Sequence, residues 1–250
     1  MNHWRQASQE IRPRADHVEV WRIRTELDAD HVARFGMLLS KAQRDRATRL
    51  RITEKRDQYI ITQGLTRIVL GWLLDTAPEA LAFIRGPKGK PYLDGEFSDS
   101  GIQFNMTHTS HMALIAVAIH REVGIDIERI RDNLQWEKLA RRYFSEAEYR
   151  GFRALPGESK LRAFFTCWTR KEAVLKAIGT GLVGGLASFD VSVDPDAPPV
   201  LLGNRWQGRY HGDWSMAQLE PGDGYVATLV GEGSGFTVRC WDVTPGDALQ

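Results

Sequence analysis

Two short segments in the middle of the chain carry acidic side chains in patterns that can bring them together. The segment Val123–Glu128 alternates apolar with other residues, so at the two-residue period of a β-strand Asp126 and Glu128 project from one face. In the second segment, Glu172 and Lys176 are four residues apart and lie along one side of an α-helix. Mg²⁺ usually takes a few carboxylates and leaves its other positions to water and substrate phosphate. Asp126, Glu128 and Glu172 can therefore form a cage of oxygen ligands for Mg²⁺.

Each segment by itself also has an ordinary structural interpretation. An Asp-x-Glu pair on a strand most often lies on a solvated face. A helix that reads Lys-Glu-x-x-x-Lys most often lies on the surface, with support from ion pairs four residues apart. The motifs that flank the two segments, rather than either segment alone, favour a catalytic site.

Four short motifs occur along the chain in a fixed order: Gly89–Pro91, Phe104–Thr109, Gly124–Glu128 and Trp168–Leu182. The last reads Trp-x-x-Lys-Glu-Ala-x-x-Lys-x-x-Gly-x-Gly-Leu, and a supporting segment, Arg142–Glu148, precedes it. This ordered set resembles the surfactin-type 4'-phosphopantetheinyl transferases over roughly Val18 to Val230. The resemblance implies an enzyme that transfers the 4'-phosphopantetheine group of coenzyme A to a serine of an acyl or peptidyl carrier protein and releases 3',5'-ADP.

The resemblance implies a role for each polar residue of the last two motifs. Asp126, Glu128 and Glu172 would join the metal to the diphosphate of coenzyme A. Gly124, which has no Cβ, would let the ligand come close to the strand. Lys176 would place its ammonium on the diphosphate and offset charge on the departing ADP. Glu172 would accept the serine proton, directly or through a water molecule.

Residues nearer the N-terminus are expected to hold the nucleotide end of coenzyme A. The resemblance implies that Thr107 and His108 contact the nucleotide and its phosphates, and that the Gly-Lys-Pro loop of Lys90 lies beside the adenine. It also implies that basic residues of an early helix, Arg56 among them, bind the 3'-phosphate, although Gln58 stands where many members carry arginine. Without the resemblance, Lys90 is interpreted as a solvated lysine in a turn. The basic residues before and within the early helix are then interpreted as a solvated helix face, namely Arg44, Arg46, Arg49, Arg51, Lys55 and Arg56.

Periodicity along the chain predicts a mixture of strands and helices. The predicted strands are Val18–Arg24, Ile102–Met106, Met112–Ile119 and Val123–Glu128. The predicted helices are a polar helix with a capping box at Ser40, then about Thr53–Leu74, Trp136–Tyr143, Glu146–Phe152 with a capping box at Ser145, and about Ser159–Ile178. The last helix is expected to stop at Gly179.

The resemblance implies an α/β (α+β) fold of two similar halves in a pseudo-two-fold arrangement, with the active site in the cleft between them. The expected division lies near Arg121 and Glu122. Residues 1–121 would contact the nucleotide end of coenzyme A. Residues 122–250 would supply the Mg²⁺ ligands and the catalytic helix.

The composition argues against several classes of partner. The chain has 33 Lys and Arg against 32 Asp and Glu, so it has no overall charge for binding nucleic acid. Its longest apolar run, Met112–Ile119, is much shorter than a membrane span, and its N-terminus has no apolar segment typical of a signal peptide. Its two cysteines are too few for a disulfide framework. We therefore expect a cytoplasmic monomer whose partners are coenzyme A and a carrier protein.

A carrier that is acidic around its modified serine needs a local basic surface, because the overall charge is near zero. The candidate segment, Leu134–Phe152, combines cations with apolar residues, namely Lys138, Arg141, Arg142, Leu134, Trp136 and Tyr143. The alternative is that its aromatic residues belong to the core and its cations are solvated. Lys171, beside Glu172, is expected to point towards a carrier or another carboxylate.

Two other functions fit the same carboxylates. One is a Mg²⁺-dependent hydrolase of a nucleotide diphosphate, which would release ADP from coenzyme A without any carrier. The other is a non-catalytic protein that binds coenzyme A or carriers. Loss of metal ligands would be typical of such a protein, whereas Asp126, Glu128, Glu172 and Lys176 are all present.

Overall fold

The structure is a computed structural model that describes residues 3–179, 185–204 and 213–249. Its residues group into two compact units. The N-terminal unit contains Asn2–Ile84, Pro91–His120 and Phe236–Gln250, and the central unit contains Arg85–Lys90 and Arg121–Gly235. The division into residues 1–121 and 122–250 stays a prediction. Gly181 and Leu182 of the last motif lie outside the described residues.

Strands and helices are interspersed along the described chain. The strands are β1 (Trp4–Gln6), β2 (His17–Arg24), β3 (Ala82–Arg85), β4 (Pro91–Asp94), β5 (Ile102–Thr109), β6 (Met112–Ile119), β7 (Val123–Arg129), β8 (Phe189–Val191), β9 (Leu201–Asn204), β10 (Trp214–Leu219), β11 (Tyr225–Glu232) and β12 (Thr237–Asp242). The helices are α1 (Ala29–Met37), α2 (Lys41–Thr48), α3 (Thr53–Leu74), α4 (Trp136–Tyr143), α5 (Glu146–Ala154), α6 (Gly157–Ile178) and α7 (Pro245–Ala248). This mixture confirms the predicted α/β (α+β) class.

The N-terminal unit is built on a five-stranded sheet with the order β1-β12-β2-β6-β5. β2, β6 and β5 are antiparallel neighbours, whereas β12, from the C-terminal end, runs parallel to both β1 and β2. Helix α3 packs against β5 and β6. Trp21, Leu65 and Phe104 are among the buried side chains of the resulting core.

Helix α3 confirms the prediction of a long amphipathic helix from Thr53 to Leu74. It ends at Asp75, which has a left-handed backbone with φ 52°. Gly64 lies where α1 approaches, because a Cβ at this position would be 2.7 Å from Cδ1 of Phe35. The absence of a side chain at Gly64 therefore lets α1 pack closely on α3.

The central unit has a three-stranded antiparallel sheet with the order β10-β11-β7, and α6 packs across β7 and β11. Helices α4 and α5 also contact α6. Phe152, Phe164 and Val230 are among the buried core residues that these elements share. The close packing of α6 on β7 sets the position of the acidic residues discussed below.

The predicted signals at helix ends are confirmed. Capping boxes are present at Ser40 and at Ser145, and α6 ends at Gly179, whose φ of 68° suits glycine. Two predicted bounds differ from the observed ones by a few residues. Strand β5 continues to Thr109, and helix α6 begins at Gly157. Among the described residues, no helix combines the length and the apolar character that crossing a bilayer would require.

Candidate active site

Strand β7 turns its acidic residues towards helix α6. Asp126 pairs with Thr228 of β11, so the two side chains lie on the same face of the sheet. The Thr228 hydroxyl lies 3.1 Å from the hydroxyl of Thr169 on α6. Asp126 is only 6% exposed. The predicted alternation along β7 is confirmed, but the face that carries Asp126 packs against α6 and is not exposed to solvent.

Gly124 makes the close contact between β7 and α6 possible. A Cβ at Gly124 would collide with the Ala173 carbonyl oxygen and the Ala177 nitrogen, and would lie 2.8 Å from the Ala177 Cα. The sequence-based interpretation that this glycine leaves room for a ligand is wrong, since the space is filled by the backbone of α6. The glycine therefore positions the helix, and through the helix its polar residues.

Lys176 projects from α6 onto β7. Its ammonium donates to Oδ1 of Asp126 at 2.6 Å and to the carbonyl oxygen of Ile125 at 3.2 Å. About a third of the Lys176 side chain remains exposed, while the Asp126 side chain is almost fully covered. The structure thus brings together the predicted cation and one predicted metal ligand.

Glu172, one helical turn before Lys176, belongs to the same group. Burial raises the pKa of Glu172 above its ordinary value, and the neighbouring Asp126 carboxylate raises it further, while the Lys176 ammonium opposes both effects. Asp126 and Glu172 are therefore close enough for their charges to repel. A carboxylate pair of this kind can bind a cation or accept a proton.

Glu128 is less closely integrated into this group. Its side chain is 22% exposed, and its carboxylate lies 3.9 Å from the guanidinium of Arg131. Within residues 3–179, 185–204 and 213–249, no group of three or more His, Cys, Asp and Glu side chains is arranged as a metal site. The assignment of Glu128 as a third Mg²⁺ ligand stays a prediction.

Lys90 has a structural position that the sequence did not indicate. Its side chain is 3% exposed, and its ammonium donates to the Glu122 carboxylate at 2.7 Å and to the carbonyl oxygens of Val123 and Ala177 at 2.9 Å each. Burial lowers the pKa of Lys90, and the Glu122 carboxylate opposes this effect. The interpretation as a solvated lysine in a turn is wrong. Lys90 joins the start of β7 to the last turn of α6, where a cation also interacts favourably with the helix dipole.

The other predicted contacts of coenzyme A lie in the N-terminal unit. On β5, Thr107 is buried and His108 is exposed. Arg56 is half-buried, and its guanidinium lies 3.4 Å from the Asp57 carboxylate. Gln58, which stands at the position of an expected arginine, donates to the Glu54 carboxylate at 3.1 Å and to the Ser110 carbonyl oxygen. The four residues Lys90, Thr107, His108 and Arg56 stay predicted contacts.

Sequence reasoning missed a second charged group around α6. Lys171 is fully buried, and its ammonium contacts both oxygens of Glu148, at 2.5 and 2.7 Å. Lys171 was expected to point towards a carrier or towards a carboxylate other than Glu172. The structure supports the second expectation, with Glu148 as the carboxylate. In the sequence, Glu148 belongs to the supporting segment Arg142–Glu148 and to the capping box of Ser145, and neither pattern indicates Lys171 as its partner. A buried lysine and a buried glutamate 23 residues apart give no local periodic signal.

Comparison with known proteins places these motifs in context. Residues 122–230 match the family model described as the 4'-phosphopantetheinyl transferase superfamily. The chain is 34% identical over 227 residues to the 4'-phosphopantetheinyl transferase HetI of Nostoc sp., a match that covers 91% of this chain and 92% of the relative. It is 32% identical over 168 residues to a putative 4'-phosphopantetheinyl transferase of Synechocystis sp., with 67% of each chain covered.

A weaker likeness occurs among solved structures. A holo-(acyl-carrier-protein) synthase from Bacillus anthracis, in complex with CoA (3',5'-ADP), has a TM-score of 0.36 and 24% identity. The match covers 45% of this chain and 96% of that chain.

We expect Gly124→Ala to destabilise the protein by about 1–3 kcal/mol, because the added methyl group must push α6 away from β7. The matched control is Gly151→Ala in α5, where a Cβ would meet nothing within 4 Å. That change should stabilise the protein by about 0.5–1 kcal/mol, because alanine loses less backbone entropy on folding than glycine does. Urea unfolding of the three proteins measures both effects. Equal stability of the two variants would contradict the role given to Gly124.

Proposed function

This chain belongs to the 4'-phosphopantetheinyl transferase superfamily, and we propose that Asp126 and Glu172 hold the Mg²⁺ ion of its active site, with Glu128 as a further ligand. The enzyme transfers the 4'-phosphopantetheine group of coenzyme A to a serine of a carrier protein and releases 3',5'-ADP. The observation that carries the site proposal is the group formed by Asp126, Glu172 and Lys176 where β7 meets α6.

The side chains present suit a hard divalent cation. All the proposed ligands are carboxylates, which Mg²⁺ prefers over nitrogen and sulfur donors. The Asp126 charge raises the pKa of Glu172, so a cation bound to both carboxylates relieves their repulsion. Mg²⁺ is commonly held by one or two carboxylates together with substrate phosphates, so two closely placed carboxylates are sufficient. Bound there, the ion would neutralise negative charge on the diphosphate.

The transfer itself is a displacement at phosphorus. The serine Oγ of the carrier forms a bond to the phosphorus next to the pantetheine arm, and the bond from this phosphorus to the bridging oxygen breaks. The bridging oxygen leaves with its electron pair as part of 3',5'-ADP, and the serine loses its proton. The protein must therefore hold the diphosphate, accept one proton and offset charge on the leaving group.

Glu172 is proposed to accept the serine proton. Burial raises the pKa of Glu172, whereas a cation bound to its carboxylate would lower its basicity. The serine proton would therefore reach Glu172 directly or through a water molecule. Lys176 is proposed to offset charge on the departing ADP. Its ammonium donates to Asp126, and its partial exposure leaves it accessible to a phosphate.

The remaining substrate contacts follow from the resemblance. We propose that His108 and Thr107 contact the nucleotide end of coenzyme A and that Arg56 binds its 3'-phosphate. The proposal extends to the loop of Lys90, but the ammonium of this residue already makes three hydrogen bonds within the protein. The Lys90 contribution to a coenzyme A site is therefore best ascribed to the backbone of its loop. The cytoplasmic location and the monomeric state are proposals that rest on the sequence alone.

The proposed carrier surface lies on α4. Lys138, Arg141 and Arg142 are exposed on this helix. Its aromatic residues pack inward, since the Trp136 ring lies 5.9 Å from that of Phe152 and the Tyr143 ring 5.6 Å from that of Trp168. The expected apolar seam is therefore largely part of the core. Recognition of an acidic carrier by α4 would depend mainly on the three cations.

Asp126→Ala and Glu172→Ala should each lower transfer to an apo carrier on the order of a hundredfold or more, because each removes a charge that holds the metal and diphosphate. Glu128→Ala, at the more exposed position, should have a smaller effect. Mass spectrometry of the carrier with coenzyme A and Mg²⁺ measures the transfer. Coenzyme A incubated without a carrier tests the rival hydrolase, which would release ADP under these conditions. Unimpaired transfer by either alanine variant at low Mg²⁺ would exclude the proposed site.

Lys176→Ala should lower kcat more than it raises the KM for coenzyme A, because its charge matters most as the ADP leaves. Lys160→Ala, near the start of the same helix, serves as the control and should leave both constants unchanged. Steady-state kinetics with varied coenzyme A separates the two effects. A raised KM with an unchanged kcat would instead assign Lys176 to binding of the substrate in its ground state.

Arg141→Glu should raise the KM for the carrier severalfold and leave the KM for coenzyme A unchanged, since it reverses an exposed charge on the proposed carrier surface. The KM of the unchanged enzyme for the carrier should rise with salt, because ions screen exposed charges. Arg153→Glu, an exposed arginine at the end of α5, is the matched control. If the KM for the carrier changes neither in Arg141→Glu nor with salt, the carrier binds at another surface.

A further inference from the structure

Helix α6 carries two fully buried cations, Arg170 and Lys171, directly before Glu172. Successive residues of an α-helix point about 100° apart around its axis, so these three side chains leave the helix in three directions. Glu172 lies near Asp126 of β7. The two cations contact other elements of the central unit, which fixes α6 from sides that β7 does not reach.

Lys171 uses all three of its N–H groups inside the protein. It donates to both carboxylate oxygens of Glu148 and, at 2.8 Å, to the carbonyl oxygen of Phe189 at the start of β8. Its ammonium also lies 4.2 Å from the centre of the Phe189 ring. Neither Lys171 nor Glu148 has more than 1% of its side chain exposed. The pair is therefore a buried ion pair with directional bonds on the lysine side.

Glu148 is equally well bonded. Its carboxylate accepts from the backbone N–H of Val191 in β8 at 2.8 Å and from that of Ser145 at 2.8 Å. The Ser145 bond belongs to the capping box that opens α5. One carboxylate thus joins the start of α5, strand β8 and the middle of α6.

Arg170 fixes the helix in another direction. Its guanidinium donates to the carbonyl oxygens of Ser192, Asp194 and Ala197, at 2.7 to 3.1 Å, and to the side-chain oxygen of Gln218 on β10 at 2.9 Å. These bonds tie α6 to the segment after β8 and to the sheet. Together with Lys171, Arg170 restricts rotation of α6 about its own axis.

Rotation of α6 matters because the Glu172 carboxylate lies at the end of a long side chain. With a carboxylate about 6 Å from the helix axis, a rotation of about 10° moves it by about 1 Å. A displacement of about 1 Å in a reacting group can lower a rate on the order of a hundredfold. Contacts that fix the rotation of α6 therefore affect the rate of the reaction directly.

We propose that Lys171, through its ion pair with Glu148, is a positioning residue that sets the rotation of α6 and so places Glu172 against Asp126. A buried ion pair adds little net stability compared with neutral residues of the same shape, because both charges must be removed from water. Removal of one partner alone leaves a buried charge without compensation and is strongly destabilising. The pair thus contributes directional bonds, which apolar residues of similar volume cannot supply. This inference rests on the proposed metal site.

The test compares Lys171→Met, the double variant Glu148→Gln with Lys171→Met, and Glu158→Gln as an exposed control on α6. Thermal unfolding, Mn²⁺ binding by electron paramagnetic resonance without coenzyme A, and steady-state transfer kinetics are measured for each, at a temperature where all are folded. Lys171→Met should lose the most thermal stability. The double variant should regain much of that stability, because no buried charge is left without a partner.

Despite its recovered stability, the double variant should bind Mn²⁺ about tenfold more weakly or worse and lose kcat on the order of tenfold to a hundredfold, with the KM for the carrier unchanged. A double variant that binds Mn²⁺ and transfers as the unchanged protein does would overturn the inference and leave Lys171 a purely structural residue. A different result would show that the proposed metal site itself is wrong. In that case the unchanged protein and its Asp126→Ala variant would bind Mn²⁺ equally.

Discussion

The contact between β7 and α6 is the constraint on which the proposed active site depends. A strand and a helix can approach this closely only where one of them has no side chain, and Gly124 supplies that position. Lys90 then joins the first residue of β7 to the last turn of α6. Hydroxyl groups of Thr169 and Thr228 meet across the same interface. The separation of β7 and α6 at Asp126 and Glu172 is therefore fixed by contacts that lie outside the two carboxylates.

The buried cations of the central unit follow a common pattern. Lys90, Arg170 and Lys171 each donate to backbone carbonyl oxygens, and two of them also meet a glutamate. Removing such charges from water is costly, and each is offset by several hydrogen bonds with defined directions. Apolar side chains of similar volume would fill the same space but would tolerate sliding and rotation. The charges thus give α6 one orientation on the sheet, which a site made from residues of two elements requires.

Much of this architecture could be predicted from local sequence patterns, because period, caps and turns are local properties. The bounds of α3, the capping boxes at Ser40 and Ser145 and the end of α6 at Gly179 are all of this kind. The sequence-based interpretations that were wrong or incomplete have a shared cause. Gly124, Lys90 and Lys171 owe their roles to residues distant in the chain, and no local window contains both partners. The same holds for β12, whose pairing with β2 no periodicity could reveal.

The position of β12 has a consequence for how the protein is made. This strand lies between β1 and β2, although 220 residues separate Arg22 from its ion-pair partner Asp242. During synthesis β1 and β2 leave the ribosome long before β12, the strand that joins them. Until then β2 has an open edge that can pair with other nascent chains. The central unit, nearly continuous in sequence, can fold before β12 is made, whereas the five-stranded sheet can close only once β12 has left the ribosome.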